Sequence, residues 1–399
     1  MSEVRLKYVA RLNERVLRED TDPDRPLRYI DIGSINAGAL SLQPSSMLFG
    51  EAPSRARRLV RSGDTIISTV RTYLRAVWHV TGDTDDLVVS TGFAVLSPLN
   101  PLDHRYFGWW AQSEPFISEI VSRSVGVSYP AISPDDVSNV QIEVPPLDEQ
   151  RRIADFLDVE TARIDALIAK KRRMIELLRE RWEASLSRAA MGRLTRLRRV
   201  LQSIEQGWSP DCDQHPAEPD EWGVLKAGCV NHGVFHEDEN KTLPSEIPPR
   251  PEYEVHRGDV LMSRASGSTE LIGSVAILRS VRQKLIMSDK IFRLKFDEQL
   301  VDARYIVSLM ASRDVRDQIV LGVSGGSGLA NNIPTNVVKD LVISLPNMEQ
   351  QRRIADRLEA ERTTVDLVRK KLDRQIELLQ ERRQALITYA VTGQLPMPA

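Results

Sequence analysis

Little in this sequence invites a covalent, redox or membrane reading. Among 399 residues there are two cysteines, Cys212 and Cys229, and six scattered histidines. Two cysteines cannot build a disulfide framework. The histidines form no visible acid–base constellation. No apolar run approaches the ~18 residues of a membrane span, and the opening MSEVRLKYVARLNERVL has no signal-peptide core. The expected setting is the cytoplasm, with no membrane contact. A phosphate-binding Walker A loop, a dinucleotide glycine fingerprint and an HExxH pair are all missing, as is an Asn/Asp-Pro-Pro-aromatic tetrapeptide of the amino-methyltransferase type. The expectation is a non-catalytic chain that binds no cofactor and no metal. A net charge of −2 excludes a generic polyanion binder. Any nucleic-acid contact has to come from local clusters, or be shared with partner chains.

What the sequence does have is a phrase said twice. QRRIADFL at Gln150–Leu157 returns as QRRIADRL at Gln351–Leu358. A shift of 201 positions pairs the surroundings without a gap, from Pro145 with Pro346 to Leu194 with Leu395, and 22 of those 50 pairs are identical. Solenoid units run to about 20–50 residues. This period is far longer, and marks duplication of a whole module.

Each half reads as a globular segment followed by one long helix. Pro145 and Pro146 disfavour an earlier start, and Asp148 and Glu149 suit the positive end of a helix dipole. Apolar residues then recur at Ile153, Leu157, Ile164, Leu167, Ile168, Ile175, Leu178, Trp182 and Leu186, one helical face, with Gly192 as the C-terminal stop. The second helix repeats the stripe with Ile354, Leu358, Val365, Val368, Leu372, Ile376, Leu379, Ile387 and Ala390, and ends at Gly393. About 44 residues at ~1.5 Å each give a rod of about 65 Å. The second helix has its own apolar stripe to bury, which predicts an antiparallel, coiled-coil-like pair acting as a spacer. The expected fold class is mixed α/β plus long helices, with an internal pseudo-two-fold repeat. The expected domains are 1–144, 145–194 (helix), 195–344 and 345–395 (helix).

Strand-like runs in the globular segments include DTIISTV (Asp64–Val70), LVVSTGFAVL (Leu87–Leu96), DVLMS (Asp259–Ser263) and IGSVAIL (Ile272–Leu278). The two segments echo each other: SGDTIIST with RGDVLMSR, HRYFGWW with ARYIVSL, and AISPDDVSNVQIEVP with NIPTNVVKDLVISLP. The frame repeats while the loops diverge. Two similar tasks on two different targets are expected.

Two motifs are decoys. GVSGG at Gly322–Gly326 fits G-x-S-x-G, which needs a strand-to-helix elbow to make Ser324 a nucleophile. A flexible or ligand-contacting glycine-rich loop is the better reading, since GVSYP in the first half lacks the pattern. Cys212, His215, Cys229 and His232, with His236 beyond, have zinc-like spacing. The stretch between the pairs is acidic and proline-rich and has no counterpart in the first half, so a buried cysteine with surface histidines is expected.

Basic clusters sit in both globular segments. The first holds Arg55, Arg57, Arg58, Arg61, Arg71 and Arg75 against Asp64; the second holds Arg279, Arg282, Lys284, Lys290, Arg293 and Lys295 against Asp289. Lys and Arg displace phosphate counterions, while Arg, Asn, Gln and Lys can read groove edges. Candidate DNA contacts are therefore Arg55, Arg57, Arg58, Arg71 and Arg75 in the first half, with Tyr129 to stack or pack. In the second half they are Lys226, Asn231, Arg264, Lys290, Asn331 and Asn332.

The doubled PPLDEQRRIADFL…IELLRER helix, its copy at Leu345–Arg382, the GD-aliphatic-Ser strand entries and GWSP at Gly207–Pro210 together resemble the specificity subunit of Type I restriction–modification systems. The resemblance covers essentially the whole chain. It implies two target-recognition domains, each reading one half of a split, asymmetric double-stranded DNA site. It implies helices that set the spacing and dock two methylation subunits, placing Ile153, Leu157, Ile164, Ile175 and Leu178, with Ile354, Leu358, Val365, Ile376 and Leu379, at the spacer and partner surface. Those partners would hold S-adenosylmethionine. Up to two restriction subunits would bring ATP and Mg. A competing expectation, of a different class, is a scaffold joining two protein-binding domains with no DNA involved.

Overall fold

The computed structural model describes residues 3–36, 38–189, 192–323 and 331–396. Two compact units emerge, one from Met1–Arg172 with Asp373–Ala399, the other from Arg173–Leu372. The two long helices, Leu147–Ala189 and Met348–Val391, are thus each divided between the units.

In the first unit an antiparallel sheet runs in the order Ala10–Leu12, Phe93–Pro98, Thr65–Ser68, Val77–His79. A second sheet runs Ser45–Leu48, Pro26–Ile30, Leu87–Ser90, Ala56–Leu59, with its central pair parallel. The run Leu87–Leu96, expected as one strand, splits at Thr91–Gly92 into strands of different sheets. Its continuous apolar character follows, because both pieces are buried on both sides.

The second unit repeats this order. Leu201–Gln206, Ile291–Phe296, Val260–Ser263 and Val275–Ile277 form the antiparallel sheet. Asn240–Thr242, Gly223–Leu225 and Leu285–Met287 form the other, again with one parallel pair. The bridge Glu254↔Ile286 stands where the fourth strand stands in the first unit. In each unit the edge strand at the helix root pairs back on the start: Glu3–Arg5 with Gln141–Glu143, and Arg193–Arg196 with Val342–Leu345.

The repeated phrase has a local physical cause. Gln150 is fully buried; its Oε1 accepts from the Asp103 amide at 2.7 Å, and its Nε2 donates to the Pro145 and Pro101 carbonyls at 2.8 and 3.1 Å. Gln351 copies every bond, accepting from the Asp302 amide at 2.9 Å and donating to the Pro346 and Leu300 carbonyls at 2.9 and 3.1 Å. Asp103 and Asp302 in turn cap the short helices His104–Trp110 and Ala303–Met310. Ile153, Ala154 and Leu157 then enter the first core, as Ile354, Ala355 and Leu358 enter cores of the second. Arg105 pairs with Asp155 and Asp158 at 2.8 and 3.0 Å; Arg304 pairs with Asp356 and Glu359 at 2.7 and 3.6 Å. Tyr106 and Tyr305 fill matching buried positions, and both hydroxyls donate to backbone carbonyls.

Within each unit the helix segments pair antiparallel, as the stripes predict. In the first, Asp165 meets Arg383 at 3.0 Å and Lys171 meets Gln375 at 2.7 Å, while Ile387, Ala390 and Val391 share a core with Ile153 and Leu157. In the second, Glu361 accepts from Ser185 at 2.9 Å, and Leu186 and Ala189 pack on Leu358. Leu167 departs from the expected stripe and faces solvent. One residue short of buried Ile168, it stands about 100° around the helix from it.

His79 lies beneath the short helix with its Nε2 3.2 Å from His104 Nδ1. Burial, and then the neighbouring His104, pull its pKa down to about 4. The folded chain therefore refuses a proton that the unfolded chain accepts below about 6.5, and stability falls as pH drops from 6.5 towards 4. Urea unfolding at pH 7 and pH 4.5 should show the parent losing about 2 kcal/mol more than His79→Gln. Parallel losses in the two proteins would remove His79 as the cause.

Candidate nucleic-acid interface

Both units build the same corner. In the first, the strand Thr65–Ser68 exits into Val70, which faces Ala131, and the Arg71 amide donates to the Pro130 carbonyl at 2.7 Å. Ala131 also pairs with Val125 on its other side, through bonds of 2.8 and 3.0 Å. This closes the loop 126–130 from both flanks. Arg71 and Arg75 occupy left-handed backbone conformations, with φ of 50° and 55°. Non-glycine residues rarely do so, and such strain collects at functional positions. The Arg71 guanidinium lies over the Tyr129 ring at 4.7 Å.

In the second unit Val260–Ser263 exits into Ala265–Ser266, which pairs with Asn331–Asn332. Arg264 sits at the turn, its amide bonded to the Lys290 carbonyl at 2.7 Å and its Nη1 to the Asp289 carbonyl at 3.2 Å. Lys290 is exposed beside it. Six of the twelve candidates thus gather at one repeated corner: Arg71 and Tyr129 in the first unit; Arg264, Lys290, Asn331 and Asn332 in the second. The corners share a frame and differ in chemistry, an aromatic and a cation in one, amides and cations in the other.

The remaining candidates stand elsewhere. Arg55 is exposed, bonded to the Tyr29 hydroxyl at 3.2 Å, and Arg57 lies over the Phe49 ring at 4.7 Å. Arg58 is half-buried, and its guanidinium donates to Asn13 and to the Phe93 carbonyl. Burial lowers its pKa, the mark of a desolvated cation spent on holding the sheets. Arg75 is matched by Glu114 at 2.8 Å, so its charge is largely answered within the chain. Lys226 lies 3.8 Å from Glu239, and Asn231 sits at a kink in the turn Ala227–Gly233. In the second basic cluster, which pattern alone set against one acid, Arg293 is buried against Asp259 and Glu205 at 3.3 and 3.4 Å. These acids are distant in sequence, so only the fold brings them to it.

Of the decoys, Ser324 lies outside the described residues. Cys229 is buried in an apolar cluster with Leu225 and Val230, and burial pushes its thiol up to about 12. Among the described residues no three His, Cys, Asp or Glu side chains converge as metal ligands.

The long helices carry a second surface. Ile153, Leu157, Ile164 and Leu358 are buried in the chain's own packing, and Ile175, Leu178, Ile354, Val365, Ile376 and Leu379 are partly so. Packing does not account for the exposed identities between the copies. Arg151, Arg152, Arg173, Leu177 and Arg181 face solvent, and so do Arg352, Arg353, Arg374, Leu378 and Arg382. Leu177 and Leu378 are each 47% exposed. Residues 173, 177 and 181 follow at i, i+4 and i+8, one ridge of a helix. Arg173 braces this ridge through Glu176 and Glu180 at 3.0 and 3.3 Å, and Arg374 repeats the brace through Glu377 and Glu381 at 2.9 and 3.8 Å. Periodicity pointed to the buried stripe. The signal for this ridge was the identity of residues that packing does not require.

The family model described as Type I restriction modification DNA specificity domain matches residues 60–177 and 220–378. The chain is 36% identical over 166 residues to the Type I restriction enzyme EcoEI specificity subunit of Escherichia coli, a match covering 41% of this chain and 28% of that relative's length. It is 24% identical over 322 residues to the EcoKI specificity subunit of E. coli K12, covering 75% and 68%. Among solved structures, a chain described under complex assembly and conformational transition of the type I R-M system has the same fold, with TM-score 0.76, 22% identity and 99% and 98% coverage. The HsdS subunit from Thermoanaerobacter tengcongensis superposes with TM-score 0.51, 22% identity and 99% and 97% coverage.

Proposed function

The chain belongs to the Type I restriction–modification DNA-specificity family, and from that premise we propose that it is the sequence-reading subunit of such a complex. It recognises a split site in double-stranded DNA and catalyses nothing itself. The domains 1–144 and 195–344 each read one half-site; the helices 145–194 and 345–395 set the interval. The observation that carries this reading is the repeated corner, one frame with two chemistries, which suits two different half-sites. Arg71 and Tyr129 serve one; Arg264, Lys290, Asn331 and Asn332 serve the other. Arg55, Arg57, Lys226 and Asn231 are flanking contacts, whereas Arg58 and Arg75 act chiefly inside the chain.

Two methylation subunits dock on the repeated ridge, one at Arg173–Arg181 and one at Arg374–Arg382. They bring S-adenosylmethionine. Restriction subunits, where present, bring ATP and Mg. Sharing the phosphate contacts with these partners fits a chain with a net charge of −2. Among the described residues no helix is long and apolar enough to cross a membrane, in keeping with a cytoplasmic complex on DNA. A scaffold without DNA would leave the cation-bearing corners, and the left-handed backbone at Arg71 in the first, unexplained.

Co-expression with the methylation subunit, followed by mapping of methylated adenines across the host genome, tests this. A motif of two short defined parts around a fixed gap is expected. Inserting one heptad in both helices keeps the packed face within about 20° and lengthens the spacer by about 10 Å, close to three base pairs. The gap should change and the two parts should not. An unchanged gap would sink the ruler, and a continuous motif would sink the two-reader architecture.

A further inference from the structure

The loop Val125–Ala131 of the first unit ends in an apolar tip that no described residue covers. Val127 is fully exposed at 101%, Val125 at 80% and Tyr129 at 67%. Tyr73 and Leu74, on the turn after Arg71, are exposed as well. A contiguous exposed apolar patch on a soluble unit marks a contact surface.

The tip is held in place before any ligand arrives. Val125 and Ala131 exchange both backbone bonds, Pro130 accepts from the Arg71 amide, and the Thr72 and Ser124 hydroxyls lie 2.8 Å apart across the base. Gly126 makes the reversal with φ of +115°, and a Cβ there would meet the Tyr129 carbonyl oxygen at 3.2 Å. Little ordering entropy is left to lose on binding, which favours a specific contact.

The tip also has a charge beside it. Arg71 stacks on Tyr129, and no acidic side chain pairs with it among the described residues. An apolar tip next to an unanswered cation calls for a partner that offers an apolar group beside an anion. The equivalent corner of the second unit is lined by Asn331, Asn332 and Arg264, side chains that suit base edges and not a lipid surface. One ligand class satisfies both corners. In the major groove, thymine alone displays a methyl group, with phosphates close by.

We propose that Val127 reads an A·T pair in the first half-site by packing on the thymine C5 methyl, while Arg71, propped on Tyr129, engages the adjacent backbone phosphate. This deepens the DNA-reading function above and rests on it. The two halves of the motif would then be read by different chemistry, apolar contact in one and amide and guanidinium bonds in the other.

The test uses the complex with its methylation subunits and a duplex bearing the mapped motif. Each thymine of the first part is replaced in turn by uracil, which removes the methyl alone. One such replacement should weaken binding about threefold to tenfold. Val127→Ala should weaken binding of the thymine duplex by a similar factor and bind the two duplexes equally. Replacements in the second part should not interact with Val127→Ala. Indifference of the parent complex to every thymine-to-uracil change, or a Val127→Ala complex that still discriminates, overturns the assignment, as does a first part with no A·T pair. Capture of the parent by anionic phosphatidylserine vesicles, lost in Val127→Ala, would overturn it in favour of a lipid. Failure of the functional reading looks different: the parent complex would bind motif and scrambled duplexes alike.

Discussion

A chain carrying both Leu177→Asp and Leu378→Asp should fold normally yet retain no methylation subunit, and each single variant should retain one. Both leucines are half exposed on the outward ridges, so their loss leaves the core intact. Burying a leucine at an interface contributes roughly 1.5–3 kcal/mol. A carboxylate in the same place adds the cost of a desolvated charge and, one turn from Arg173 or Arg374, competes with the Glu176–Glu180 or Glu377–Glu381 brace for that cation. The combined loss, on the order of 4 kcal/mol, is about a thousandfold in affinity. Native mass spectrometry of the co-expressed complex reads the result as a count of two, one, one and none. The count is what makes the experiment sharp, because an allosteric or folding defect would not divide into halves. Two subunits still bound to the double variant would take this ridge out of the assembly. A parent chain that binds none would instead undo the functional reading itself.

Why the ridge had to wait for the structure while the helices did not is a matter of what pattern encodes. Spacing of three, four and seven along Ile153–Leu186 gives a helix and its buried face, because burial imposes the period. Identity at 201 residues gives the duplication. Neither separates a residue kept for packing from one kept for a partner; Gln150 and Arg151 are neighbours, equally repeated, one buried and one exposed. The two corners were half legible. Arg71, Tyr129, Arg264, Lys290, Asn331 and Asn332 stand out by type and turn position, and the bridges Val70↔Ala131 and Ala265↔Asn332 bring them together across about 60 residues of chain. Charge counting failed where the answering acid was remote: Arg293 meets Glu205, and Arg75 meets Glu114. Val127 carries no signal in the sequence, since a valine in a loop stands out only when, as here, no described residue covers it.

The duplicated frame also explains how two readers can diverge on one scaffold. The residues that copy best are those at the helix root, where Gln150 and Gln351 make the same bonds in both units, Asp103 and Asp302 cap the same short helix, and Tyr106 and Tyr305 donate to backbone carbonyls from matching buried positions. The residues that differ are at the corners, where loops leave the sheet and are pinned by backbone bonds that do not depend on which side chains they carry. On the proposed reading, stability and specificity are carried by separate parts of each unit, and corner substitutions should be cheap in folding free energy.

The converse is a large penalty at the root. Gln150→Met keeps the length and apolar volume of the side chain and removes only its polar end. That takes the partner from the Asp103 amide and the Pro145 carbonyl beside a fully buried side chain, and from the Pro101 carbonyl at its outer edge. Each unsatisfied buried group costs ~1–3 kcal/mol, and partial relaxation leaves an expected loss on the order of 4 kcal/mol, a large share of a typical stability of 5–15 kcal/mol. Gln351→Met should cost the second unit as much, through Asp302, Leu300 and Pro346. Arg105→Ala is the comparison that decides the cause. It removes two ion pairs from the same helix root, but both acids are well exposed, and such pairs contribute ~0–1 kcal/mol. Urea titration of the three variants beside the parent should rank both glutamine variants far below Arg105→Ala. Equal losses would mean that the ion pairs, and not the buried amides, anchor the long helices, and the repeated phrase would owe its repetition to its charges.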